Sequence, residues 1–509
     1  MQKSLNTFGQ EFADALAAAV AKRDQEAAAG NEGEKVHVTG AGRTLTFAYE
    51  QLRNAAEYTE EHLLLQRAIR RFYKRAFLAR DDKGVASSGE ELIVELTLAG
   101  YLQNDSVKVA TIDTVNSLAA DYYQAHSRRL KEAWTLDVLA VEIERLLSAD
   151  LRRDIFTHFA YRHFLETIDP GKVFKTPVPD FEIELFVAVH RALLKSDNAT
   201  IRAALLARYQ QKPGMNTYAG TNKMIDKVLE SPSTDRLFRI VTRRGAPLRV
   251  LWRLIDEHED TAKLLRNREQ FLTAYEAQIQ TEYAQINSRI NRGIVKSVAF
   301  LIITKVLIGL AVEVPYDYLV HGSILWTVLW INLLFPPVYM LLLRGTLRLP
   351  GAANSRALSD QIDTLLYGEK QLVAGRPAKG YGVAFNIVYA LLIIGVFGGV
   401  AYGLMQLGFS IVHLLIFFVF LSTASFLGFR LSRQIREIEV VDATQDGVSM
   451  VRDFLYMPFV VVGRWMSEKY AKVNIVAMIL DMVIELPLKT ILHLVRQWGN
   501  FITSKKDEL

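Results

Sequence analysis

Lys305 is the residue in this chain whose chemistry most needs an explanation. It lies eleven positions into the apolar run Ile294–Val314, near the middle of a segment long enough to cross a bilayer. An ammonium at that depth is costly and needs a polar partner, so it defaults to a functional reading. By depth the expected partner is Asn332, eight residues into the next apolar run. Glu313 and His413 fall near the outer boundary and would form a second polar layer. Two readings follow. One is a polar pathway for a proton or ion. The other is a Lys–Asn hydrogen bond that fixes helix packing, helped by a carbonyl freed near Pro336-Pro337. With no carboxylate expected at the membrane centre, packing is the favoured reading, and replacing Lys305 with Met would then leave folding intact.

The rest of the chain offers little further chemistry. It has no cysteine, which excludes disulfides, thiolate catalysis and Cys-ligated metals. His158 and His163 are five apart, a poor spacing for one helical face, and no HExxH occurs. Residues 442–453 (DATQDGVSMVRD) start like a calcium loop but have Met at position 9 and Asp at position 12, so a turn is the better reading. Gly40-Ala41-Gly42 lacks both the third glycine of a dinucleotide fingerprint and the Gly-Lys of a phosphate loop. No catalytic set, cofactor site or metal site is expected, and the reading leans non-enzymatic: a cytoplasmic binding or assembly platform first, a subunit of an oligomeric transporter or channel second, and third a lipid-acting membrane enzyme, for which Asp481 and Glu485 are the only candidates.

Four apolar runs hold these residues: 294–314, 324–343, 383–405 and 411–431. Mean hydropathy is +0.12 although 23% of residues are charged, because the apolar content is concentrated in this part. Arg289, Arg292 and Lys296 precede the first run, six Lys/Arg occupy 344–382, and Arg430, Arg433 and Arg436 end the fourth. The connections 315–323 and 406–410 have none. This asymmetry predicts two transmembrane hairpins with both chain ends cytoplasmic, in a cytoplasmic or plasma membrane. Gly395, Gly399 and Gly403 form a small-residue ridge on the third run, with Ala424 and Gly428 a similar pair on the fourth. These are expected helix-packing positions, within the bundle or between subunits.

Residues 1–290 read as helical, giving a mainly all-α fold class. Met1–Ala29 is interrupted by charges and reads as an amphipathic helix, not an export signal. Val36–Phe47 is the exception, a small β-hairpin signal. A first helical domain is expected over 1–168. The Pro-containing stretch 169–180 opens a second over 169–258. A stalk helix over 259–293 then runs into the first span, its stripe Leu272, Ile279, Tyr283, Ile286 and Ile290 packing on its own domain or on a second copy.

Two basic stretches contain aromatic residues: Arg67, Arg70, Arg71, Lys74 and Arg75, and Arg236, Arg239, Arg243 and Arg244. Solvated or salt-bridged faces come first, contact with anionic lipid second and nucleic acid last. The partners expected are the lipid bilayer and a protein partner, or self-association through the stalk and the glycine-rich third span. The tail 432–509 reads as amphipathic and interfacial. In it Asn474, Asp481, Glu485 and Lys489 share a face, Phe454–Gly463 is a short surface or re-entrant element, and a fifth span near 473–495 is the competing reading. The terminal Lys-Asp-Glu-Leu would be inert on the cytoplasmic side and is read as chance.

Overall fold

The computed structural model describes residues 4–29, 34–40, 43–44, 46–47, 50–51, 61–79, 82–148, 150–174, 176–258, 260–368, 383–441 and 447–470. Their regular structure is helical, with no strand, and they fall into two compact units.

The first unit comprises residues 14–165 and 178–241. Its centre is the helix Leu64–Ala79, which buries Ile69, Phe72, Tyr73 and Phe77, a three-and-four-residue spacing that makes one apolar face. That face packs on Leu136–Leu147 and its buried Leu136, Leu139 and Ile143. The same core continues through Val187, Ile201, Leu205, Ile225 and Val228. The stretch 169–180 therefore does not divide the core, because helices on both of its sides fill one interior. Within this helical region, residues with positive φ turn the chain. Arg129 (φ 62°) separates Val109–Ser127 from Leu136–Leu147, and Lys195 (φ 51°) separates Phe181–Leu193 from Asn198–Arg208. Asp197 then caps the second of these by accepting from Thr200 N at 2.8 Å.

The expected β-hairpin at Val36–Phe47 is not formed among the described residues. Residues 43–44 and 46–47 are helical. The β-prone run ahead of them pairs with a distant segment: Val36 N donates to Val107 O and Val109 N to Glu34 O, both at 2.9 Å. Asn104 takes the next backbone pair, accepting from Val38 N at 2.8 Å. Extended backbone needs hydrogen-bond partners from any source, and here a tertiary contact supplies them.

Two buried ionisable groups are held away from their ordinary behaviour in this unit. Burial, joined by Arg153 and Arg145, pushes the His190 imidazole down to about 3, so it stays neutral near pH 7. Burial raises the Glu144 carboxyl to about 7, with Arg153 opposing and Asp197 adding to the rise.

The second unit comprises residues 4–13, 166–177 and 242–470. Asn267 caps a helix that runs from Arg268 to Ile308 without a break. Its buried residues Phe271, Tyr275, Ile279, Tyr283, Ile286 and Ile290 recur every three or four positions. They pack on Ala246–Glu257 and Ala352–Tyr367 of the same unit, where Tyr275 donates to Pro247 O at 2.9 Å and Asn354 Nδ2 to Tyr283 Oη at 2.9 Å. Arg268 grips Asp363 with two bonds of 2.6 and 2.9 Å. Asn6 caps the far end of Ala352–Tyr367, its Nδ2 donating to Leu365 O and Gly368 O at 2.9 Å. The stalk stripe is thus packed within its own chain.

Four helices of this unit are long and apolar enough to cross a membrane: Arg268–His321 including its π turn, Trp326–Thr346, Ile387–Gln406 and Ile411–Arg436. Gly322 (φ 70°) and Gly408 (φ 87°) make the two tight hairpin turns, a conformation that side chains disfavour. Phe454–Gly463 is not a separate short element. It lies inside one helix, Gly447–Tyr470, which accommodates Pro458 and packs along the fourth span. Gly463 permits that approach, since a Cβ there would collide with Ser422 O. The candidate fifth span near 473–495, the face of Asn474, Asp481, Glu485 and Lys489, and the terminal Lys-Asp-Glu-Leu lie outside the described residues.

Candidate functional site

The site is a buried polar layer near the turn end of the two hairpins. It is built from the π segment Gly309–Glu313 and the helix Val314–His321, which continue the first span, together with the second and fourth spans. Lys305, Glu313, Asp317, Asn332 and His413 are each at most 1% exposed.

Lys305 Nζ donates to Glu313 Oε1 at 2.7 Å. In a straight α-helix eight residues rise about 12 Å and end on different faces. The π segment absorbs one extra residue, so a separation of eight acts like seven and returns Glu313 to the face of Lys305. Glu313 also reaches back along the helix, as side chains tilted toward the N-terminus do. The Phe420 ring lies 4.7 Å from Lys305 Nζ, a cation–π contact from the fourth span.

Asn332 bridges the layer. Its Nδ2 donates to Glu313 Oε1 at 2.9 Å and reaches His413 O at 3.5 Å. Pro336 and Pro337 sit buried within this second-span helix and lack the amide hydrogens that would bond the Asn332 and Leu333 carbonyls.

Asp317 ties three elements together. Its Oδ2 accepts from Leu325 N at 3.0 Å, at the start of the second span. Its Oδ1 lies 3.1 Å from His413 Nε2 on the fourth span, close enough for an ion pair but off the angle of a well-made hydrogen bond. His321, one turn on, has Nδ1 3.7 Å from the same oxygen. His413 Nδ1 in turn faces the Ser410 hydroxyl at 2.9 Å and the Ser410 N–H at 3.4 Å in a capping box.

Three acceptors stay open. Glu313 Oε2, Asp317 Oδ1 and Asn332 Oδ1 have no hydrogen-bond partner among the described residues, although all three side chains are fully buried.

The structure brings all four of the expected intramembrane residues, Lys305, Glu313, Asn332 and His413, into one layer. It changes the pairing, however. The direct partner of Lys305 is the Glu313 carboxylate, and Asn332 joins through it. Asp317, a loop residue by sequence alone, is the most connected member. The spacing Glu313, Asp317, His321 is a legible signal, since steps of four make one helical face.

The glycines separate into two groups. Gly428 packs at the Leu343 and Met340 side chains, and Ala424 is fully buried. At Gly395, Gly399 and Gly403 a Cβ would meet nothing within 4 Å among the described residues.

In the basic stretches, Arg70 bonds Asp137 at 2.5 Å, Arg71 bonds Glu50 at 2.5 Å and Arg75 binds Glu95 at 2.8 and 2.9 Å. Arg67 is half-buried and Lys74 exposed on the same helix. Arg236, Arg239, Arg243 and Arg244 lie on Pro232–Arg244, with Arg239 and Arg243 exposed. No three His, Asp or Glu side chains come together to hold a metal ion among the described residues. Residues 442–446 of the calcium-like stretch lie outside them.

Comparison with protein families, with curated proteins and with solved structures finds no match for this chain.

Proposed function

We propose that this chain is a non-enzymatic, multi-pass membrane protein whose helical region is a binding or assembly platform, held at the inner membrane face by two transmembrane hairpins. The observation that carries the reading is the helix Arg268–Ile308. Its first half is packed among extramembrane helices by Tyr275, Tyr283 and Arg268, and its second half is part of the first span. A helix shared in this way ties the position of that layer to the bundle. The Lys/Arg pattern supports an inward-facing platform and cytoplasmic chain ends. Contact with anionic lipid would fall to the exposed Lys74, Arg239 and Arg243.

A second reading, a subunit of an oligomeric transporter or channel, is favoured by one observation. Lys305, Glu313, Asp317 and His413 place four ionisable groups inside the bundle, more than an inert anchor needs.

Native mass spectrometry of the full chain extracted in mild detergent, paired with ion and proton flux into liposomes from the same preparation, separates the two. The platform reading predicts a stoichiometric protein partner and no flux that depends on Lys305. Flux abolished by K305M in a preparation that is still folded, without such a partner, would overturn it.

A further inference from the structure

The buried polar layer holds the charged or imidazole side chains Lys305, Glu313, Asp317 and His413. With His413 neutral they carry one positive and two negative charges, a net of one negative charge removed from water. An uncompensated charge in such surroundings is costly, and a counter-charge that can enter relieves the cost. A metal cation fits poorly, because among the described residues no three-residue acidic or histidine group surrounds the site.

We infer that the Asp317–His413 pair is a proton-binding site, which takes up one proton and so brings the buried layer to charge neutrality. The local hydrogen bonds show how. The Ser410 backbone N–H can only donate, so the His413 Nδ1 it faces at 3.4 Å is the acceptor. Nε2 then carries the ring hydrogen, 3.1 Å from Asp317 Oδ1 but not aligned as a hydrogen bond. The incoming proton adds at Nδ1, where it breaks the long contact from the Ser410 N–H, and the Ser410 hydroxyl at 2.9 Å turns from donor to acceptor, as a hydroxyl can. Imidazolium and Asp317 then form a charged pair beside the Lys305–Glu313 pair.

The other charged and titratable neighbours agree with this count. On its own helix Asp317 faces His321, which is partly exposed at the turn and offers an entry route. Tyr316 sets its ring edge-on to both His321 and His413. The second span presents only the Leu325 backbone and Asn332, and the deeper groups are Glu313 and Lys305. Three open, buried oxygens, Glu313 Oε2, Asp317 Oδ1 and Asn332 Oδ1, mark the layer as short of positive charge or hydrogen. It holds whether the bundle anchors or transports.

Proton uptake by the full chain in detergent, titrated between about pH 8 and pH 5, tests the charge balance. Wild type should take up one more proton per chain than D317N, and also one more than E313Q, whose change lies away from His413. K305M, with more uncompensated negative charge, should keep the uptake. Equal uptake by wild type and D317N would overturn the proposal, as would its loss in K305M. If any of these variants does not fold, the histidine nitrogen-15 spectrum of the wild type, assigned with H413Q, decides. Imidazolium at His413 at the acid end of the titration is expected, and a ring still neutral there would overturn the assignment.

Discussion

Glu313→Gln and Lys305→Met should each unfold the bundle at a much lower temperature than wild type, while K305M/E313Q together should recover most of the loss. Each single change leaves its partner's charge buried without compensation, at a cost of about 3–5 kcal/mol. Lys305 Nζ and Glu313 Oε1 are 2.7 Å apart and neither side chain exceeds 1% exposure, so water cannot screen the orphan. The double variant replaces the pair with uncharged groups and leaves one unpaired amide. Thermal unfolding of the four proteins in one detergent gives the coupling directly. Additive losses would mean that the two groups do not interact. This reverses the expectation that K305M leaves folding intact, and the reason is the carboxylate that the π turn delivers.

The second large effect concerns Gly463. In G463V the new Cβ would collide with the Ser422 carbonyl and lie 2.7 Å from Phe426 Cβ. A helix backbone cannot move aside as a side-chain tip can, so Gly447–Tyr470 must shift off the fourth span. Overpacking costs of about 1–3 kcal/mol are a floor here. The Tyr456–Ser425 hydrogen bond of 2.9 Å is expected to break. G399V, at a position with open space around it, should leave the melting temperature of the monomer unchanged. Melting the two variants side by side checks both. Comparable destabilisation of the two would contradict the packing of Gly447–Tyr470 on the fourth span.

These two sites mark what the sequence can and cannot reveal. The spans are legible because an apolar run of bilayer length is rare outside a membrane, and the observed helices match the expected runs to within about five residues, apart from the first, which begins well before its own. Lys305 is legible as an oddity, and Glu313, Asn332 and His413 by depth alone. Their pairing is not, since a spacing of eight puts Lys305 and Glu313 on different faces unless a π turn intervenes. Asp317 escapes notice because a short connection reads as loop, whereas Pro315 sits in the first turn of a further helix, Val314–His321.

The glycines show the limit of composition. Gly395, Gly399 and Gly403 have the spacing of a packing ridge but open surroundings, whereas the isolated Gly463 and Gly428 mark the close approaches. Spacing describes one helix, and only its neighbours decide which glycines are needed. The β-prone run at Val36 misleads for the same reason, because its hydrogen-bond partners at Asn104, Val107 and Val109 lie far away in sequence.

The central claim is that two hairpins cross the membrane with their turns outward. The chain has no cysteine, so single-cysteine variants report position without background labelling. S323C and L407C lie at the two turns, and A353C is exposed at the opposite end of the second span. With a membrane-impermeant maleimide on intact cells, S323C and L407C should label at once and A353C only after permeabilisation. Labelling of S323C and A353C from the same side would contradict the crossing, and labelling of A353C alone from outside would contradict its orientation.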